Sequence, residues 1–140
     1  MRIFVPRKTE KYQIVVGTVP GYGENLENAD YISEDKFKKV LYRLQNEVKN
    51  ERGIFVSVNI WPSSVMYNQE WGCPVNGESV YVLECVRNPK YDSDSAAQLY
   101  KLCVLCLADK LMEAFDKCTV SVTASIVDHY YLTNKKGQDK

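Results

Sequence analysis

The chain has 140 residues, 45% of them apolar, and eighteen Lys and Arg balance eighteen Asp and Glu; such a length supports one domain with one core, and the balanced charge offers no positive field for duplex nucleic acid. The longest apolar run, Leu102 to Ala108, is bounded by Lys101 and Asp109 and is far short of the ~20 residues of a membrane span. The N-terminus Met1-Arg2-Ile3-Phe4-Val5-Pro6 lacks the apolar core of a signal peptide, which points to the cytoplasm.

In chain order, Tyr12 to Val19 is rich in β-branched residues and reads as a strand running into the loop Gly21-Tyr22-Gly23. Ser33 is placed to cap a helix, with Glu34 and Asp35 in its first turn, where the helix dipole favours negative charge. Phe37, Val40, Leu41, Leu44 and Val48 recur at helical spacing and define its core stripe, and Gly53 ends it. From Ile54 to Trp61 the pattern alternates, sending Ile54, Val56, Val58 and Ile60 to one face and Phe55, Ser57, Asn59 and Trp61 to the other. Pro62 interrupts this strand, Val65-Met66-Tyr67 resumes it after a bulge, and Asn76-Gly77 turns the chain into a strand from Ser79 to Arg87, predicting an antiparallel hairpin.

Asn88-Pro89 stops that strand, and Asp92, Asp94 and Ser95 offer caps for a helix over 95–117. Its middle is apolar around most of its circumference, with Leu99, Leu102, Val104, Leu105, Leu107, Leu111, Met112 and Phe115. Such a helix needs cover on every side, from a second copy of the chain or from the chain's own loops. Finally Val120, Val122, Ala124 and Ile126 alternate with Thr119, Ser121, Thr123 and Ser125, a strand whose outward row is all hydroxyls. Residues 1–133 thus read as one domain and 134–140 as a disordered tail. The order β-α-β-β-α-β is that of the ferredoxin-like split βαβ fold, an α+β class with one antiparallel sheet and two helices on one face. The opposite face, with Trp61 and the hydroxyl row, is too apolar and varied for a plain solvent surface.

Five cysteines (Cys73, Cys85, Cys103, Cys106 and Cys118) are an odd, scattered set that reads as reduced thiols. Cys103-x-x-Cys106 has a redox or half-zinc spacing, but it lies within an apolar helical stretch where thiols act as small hydrophobes. With no second pair and a single His129, zinc is short of ligands, so neither metal nor cofactor is expected.

Gly21-Tyr22-Gly23 could close backbone amides on a phosphate, yet the helix starts some ten residues later, too far for its dipole to lie behind the loop. A simple turn is the competing reading. A fuller set is Trp61, Tyr67 and Trp71 with Arg87, Asn88, Lys90 and Tyr91, from the two ends of the hairpin. Aromatic faces stack on a base, Arg and Lys pair with phosphate, and Asn reads a base edge or ribose, as a nucleotide-like ligand requires. Against this, Trp61 and Tyr67 can simply finish the core. Glu84, among Val80, Val82 and Val86, is either an inward carboxylate suited to a general base or a residue of the wet face. His129 has no visible nucleophile with it.

These pieces resemble a group of small bacteriophage and mobile-element proteins. The likeness runs through Val15-Val16-Gly17 with Gly21-Tyr22-Gly23, Asn46-Glu47-Val48, Val56-Ser57-Val58, Tyr67, Asn88-Pro89-Lys90-Tyr91, Leu107-Ala108-Asp109-Lys110-Leu111-Met112 and Val120-Ser121-Val122, most of residues 12 to 127. The stretch Asn68 to Glu78 is longer here than in that pattern, and the residues before Tyr12 are additional. One class of such proteins, to which the chain is similar, is the Thoeris anti-defence sponges, which capture cyclic nucleotide or cyclic ADP-ribose signals between subunits. The resemblance implies a non-enzymatic counter-defence protein of the host cytoplasm. It would oligomerise through the helix over 95–117 and sequester a small nucleotide-like signal with Tyr22, Trp61, Tyr67, Trp71, Arg87, Asn88, Lys90 and Tyr91. Two alternatives stand beside it: an inhibitor of a host protein acting through the open sheet face, and a small enzyme using Glu84 or His129.

Overall fold

The computed structural model describes residues 3–17, 32–115 and 119–134. Four strands and two helices follow in the order β1 (Arg7–Gly17), α1 (Glu34–Arg52), β2 (Asn59–Val65), β3 (Glu78–Val86), α2 (Ala97–Ala114) and β4 (Val120–His129). The strands form one sheet ordered β2-β3-β1-β4, with every neighbouring pair antiparallel. This is the α+β arrangement expected from the β-α-β-β-α-β order.

Local signals set the first helix. The Ser33 side chain accepts from the Lys36 amide, Glu34 and Asp35 occupy the first turn, and Gly53 closes the helix with a φ of 100°. Phe37, Leu41, Leu44 and Val48 are buried as the stripe predicts, with Val40 partly buried beside them. They meet Tyr12, Ile14 and Val16 of β1 and Tyr81, Leu83 and Cys85 of β3, so both helices lie on the sheet face that carries these residues. The Phe37 ring stacks between Tyr81, with centroids 4.3 Å apart, and Phe115 at 5.3 Å.

The structure departs from the sequence expectations in three places. Ile54 to Val58 keeps its alternation, with Ile54 and Val56 buried, but does not join the ladder. The Val56 carbonyl accepts instead from Gln45 Nε2 of α1 at 2.9 Å, so its hydrogen bond is met from a helix and strand pairing starts only at Asn59 opposite Glu84. Pro62, expected to interrupt the strand, lies inside it opposite Tyr81, because β2 is an edge strand and needs no donor on its outer side. The second helix is shorter than expected, starting at Ala97 after a 3₁₀ turn over Asp94–Ala96. Tyr100, Cys103, Val104, Leu107, Ala108 and Leu111 are its buried side, while Leu99, Leu102, Leu105 and Met112 stay about 40% exposed. Among the described residues, no helix is long and apolar enough to cross a membrane.

Candidate functional site

The sheet face opposite the helices carries Gly17, Val15 and Gln13 of β1, Glu78, Val80, Val82 and Glu84 of β3, Trp61, Ser63 and Val65 of β2, and Ser121 and Thr123 of β4, by register. Val80 and Val82 are buried there although no helix covers them. The connection from β2 to β3, residues 66–77, turns back on the sheet. Asn68 caps a short 3₁₀ turn, Gln69–Trp71, by accepting from the Glu70 amide, and the Tyr67 amide donates to Cys73 Sγ at 3.3 Å. The Gly77 amide then donates to the Pro74 carbonyl. The hairpin is antiparallel as predicted, but it is joined by this long folded loop instead of a tight turn.

A hollow of about 240 Å³ forms where the loop meets the sheet, lined by Val15, Gly17, Val65, Tyr67, Trp71, Glu78, Val80, Thr119, Val120 and Ser121. Glu78 is the charged side chain in it and is only 8% exposed. Burial pushes its carboxyl above the usual range, and the nearby Tyr67 hydroxyl partly offsets that rise. Gly17 makes room for this carboxyl. A Cβ on Gly17 would lie 3.1 Å from Glu78 Oε1 and 3.4 Å from Thr119 Oγ1, so the carboxyl and the hydroxyl both pack against the bare backbone of this glycine in an otherwise largely apolar hollow. No Lys or Arg is among the described residues lining it.

The structure divides the site residues proposed from sequence. Tyr67 and Trp71 line this hollow, and Trp61 stands on the same sheet face, opposite Val82. Tyr22 lies outside the described residues. Asn88 and Tyr91 line a different hollow with Phe55, Ser57, Val86, Asp92 and Tyr100, which shares no residue with the first. Lys90 Nζ sits 5.0 Å from the Tyr131 ring centroid, and the Tyr91 and Tyr131 hydroxyls are 3.0 Å apart. Arg87 is only 3% exposed. Its Nε donates to Glu10 Oε2 at 2.8 Å and its Nη1 to the Asp92 carbonyl and Asp94 Oδ1. Its guanidinium therefore ties β1 to the start of α2 and does not face the hollow of Glu78.

Glu84 shares the open face but pairs with Lys11 at 3.3 Å, and His129, at the end of β4, stacks on Tyr131. Sequence reasoning chose Glu84 and passed over Glu78, although both alternate with the same valines. A signal for Glu78 existed in Gly17, a small residue closing the β-branched run Ile14-Val15-Val16, but it acquires meaning only through the strand pairing.

Residues 7–133 match the protein family described as SAM lyase. A solved structure described as a phage SAM lyase in complex with S-methyl-5'-thioadenosine is 15% identical, with 88% of this chain and 90% of that one covered and a TM-score of 0.49. No curated protein matches the chain. The family match overturns the expectation of a non-enzymatic protein that sequesters a cyclic signal, together with its alternative of a protein-blocking inhibitor, because the family is one of enzymes. The sponge resemblance failed for a physical reason: stacking aromatics beside polar groups serve a nucleoside that is cleaved as well as one that is stored.

Proposed function

The chain belongs to the SAM lyase family, and on that premise we propose that it cleaves S-adenosylmethionine in the hollow between the β2–β3 loop and the open sheet face. A lyase uses no water and no oxidant, which restricts the chemistry. The sulfonium methyl has no neighbouring carbon from which to eliminate, and removing an unactivated C–H proton from the aminobutyrate chain would demand a far stronger base than a carboxylate. The substrate's own carboxylate, by contrast, can reach the γ-carbon. An oxygen–carbon bond forms there, the carbon–sulfur bond breaks, and its electron pair returns to sulfur. The products are homoserine lactone and S-methyl-5'-thioadenosine, and no proton is transferred.

In this step a negative carboxylate and a positive sulfonium neutralise each other. Water stabilises the separated charges more than the transition state, so an apolar hollow that strips water from them favours reaction. Val15, Val65 and Val80 supply that lining. Trp71, 64% exposed at the rim, offers a ring face for the adenine, and the Glu78 carboxylate attracts a substrate that carries two positive groups. Loss of the methyl donor would disarm methylation-dependent host defences, which gives the activity a counter-defence use in phage infection. We also retain self-association through the outer leucines of α2, which sedimentation at rising concentration would test.

The observation that carries this reading is the family match over residues 7–133. Purified protein incubated with S-adenosylmethionine in heavy-oxygen water and followed by mass spectrometry is the test. Equal yields of S-methyl-5'-thioadenosine and unlabelled lactone are expected; no consumption, or heavy oxygen incorporated in the cleavage itself, would overturn it.

A further inference from the structure

Resting on that reading, we infer that Cys73 is a positioning residue for the reaction: its half-buried thiol fixes the fold of the β2–β3 loop so that the Tyr67 ring stands beside Glu78 and the Trp71 ring at the rim. Two local sets of hydrogen bonds shape this loop. Over 68–72, Asn68 Oδ1 accepts from the Glu70 amide at 2.9 Å, the Asn68 carbonyl from the Trp71 amide, and the Gln69 carbonyl from the Gly72 amide. Over 74–77, the Pro74 carbonyl accepts from the Gly77 amide. Gly72 and Gly77 take positive φ values of 93° and 82°, so each turn is preset by its own backbone. Neither set fixes the angle between the two turns. The Cys73 thiol supplies that joint, since Sγ accepts from the Tyr67 amide and donates to the Pro74 carbonyl, both at 3.3 Å.

A thiol is a small, largely apolar group with one weak donor and one weak acceptor, which suits a joint in the wall of a hollow that strips water from its ligand. Its effect on the chemistry passes through Tyr67. The Tyr67 hydroxyl counters the rise that burial causes in the proton affinity of Glu78. The other elements around that carboxyl contribute uncharged groups, Val15 and Gly17 from β1, Val65 from β2, and Thr119 and Ser121 at β4. Among the described residues lining the hollow, the phenol is therefore the titratable neighbour of Glu78. Releasing the Tyr67 amide from Sγ lets the phenol move away, so the carboxyl holds its proton more tightly and the wall loses its set shape.

Titration of the Glu78 carboxyl by carbon NMR needs no substrate and reads this directly. Cys73→Val fills the space of the thiol without hydrogen bonds, whereas Cys73→Ser keeps a donor and an acceptor. The valine variant should raise the carboxyl's midpoint in the same sense as Tyr67→Phe, and add nothing to it in the double variant, because two groups acting through one contact are not additive. Its kcat/KM for S-adenosylmethionine should fall about tenfold, and Cys73→Ser should recover most of both effects. A midpoint that stays put, or that moves equally with and without the Tyr67 hydroxyl, would overturn the assignment, as would an unchanged kcat/KM in active protein. If the valine variant does not fold, Cys73→Ala is read in the same way. Wild-type protein that leaves S-adenosylmethionine intact would sink the lyase reading alone, and the titration would still decide whether the thiol places Tyr67.

Discussion

Glu78 and Gly17 face each other across β3 and β1 so closely that the buried carboxyl occupies space a side chain on Gly17 would contest, with Oε1 3.1 Å from where its Cβ would stand. Substituting Gly17→Ala therefore displaces the carboxyl by a few tenths of an ångström while leaving the ladder intact. We expect kcat/KM for S-adenosylmethionine to fall about tenfold or more, with the thermal midpoint within a few degrees of wild type, since alanine suits a strand better than glycine. A steady-state assay paired with thermal melting checks both halves.

The raised pKa of Glu78, caused first by its burial, makes this carboxyl a cost to the fold. A group whose folded pKa lies above its unfolded value gives stability that is present below the unfolded value and is lost as pH rises through the folded one. Glu78→Gln should accordingly melt a few degrees higher than wild type at neutral pH, with the gap closing in acid. Its lyase activity should drop about a hundredfold. A variant no more stable than wild type at neutral pH would contradict the assigned burial cost.

The Tyr67 hydroxyl counters the rise that burial causes in the Glu78 pKa, so removing it should move that pKa upward. If substrate capture needs the ionised carboxylate, the acid limb of kcat/KM should shift to higher pH in Tyr67→Phe. The limb should vanish in Glu78→Gln. Rate profiles across the acid range decide it.

Arg87 is a structural residue in this fold, held by Glu10 and Asp94. Arg87→Ala leaves the Glu10 carboxylate, only partly exposed, without its main partner, which should cost about 3 kcal/mol. Denaturant unfolding should show that loss. Where the variant remains folded, kcat/KM should stay within about twofold of wild type; a large KM effect would restore Arg87 to the ligand.

Trp71→Ala tests the rim. Because the ring is largely exposed, stability should change by no more than ~0.5 kcal/mol. Loss of stacking on the adenine should raise KM about tenfold with kcat little changed.

Local patterns were sufficient for the frame of the molecule. Ser33 and Gly53 mark helix ends because capping is satisfied within a few residues, and the alternation in β4 separates core valines from outward hydroxyls because a strand repeats every two residues. Those same patterns could not rank Glu78 above Glu84, since the two share a strand and a face. Their difference in burial comes from a loop folded over one end of the sheet and from Lys11 across the other. Nor could they show that Arg87 is committed to Glu10, 77 positions away.

What the amino-acid order determined by itself is the succession of strands and helices, their caps, and the existence of an open face with aromatic and hydroxyl groups. Tertiary structure alone decided which of those groups meet: pairing β1 with both β3 and β4 packs Glu78 and Thr119 against Gly17. The physical reason is range. Backbone hydrogen bonding and side-chain periodicity act between near neighbours, whereas burial, and with it the carboxyl's raised proton affinity, depends on segments brought together from opposite ends of the chain.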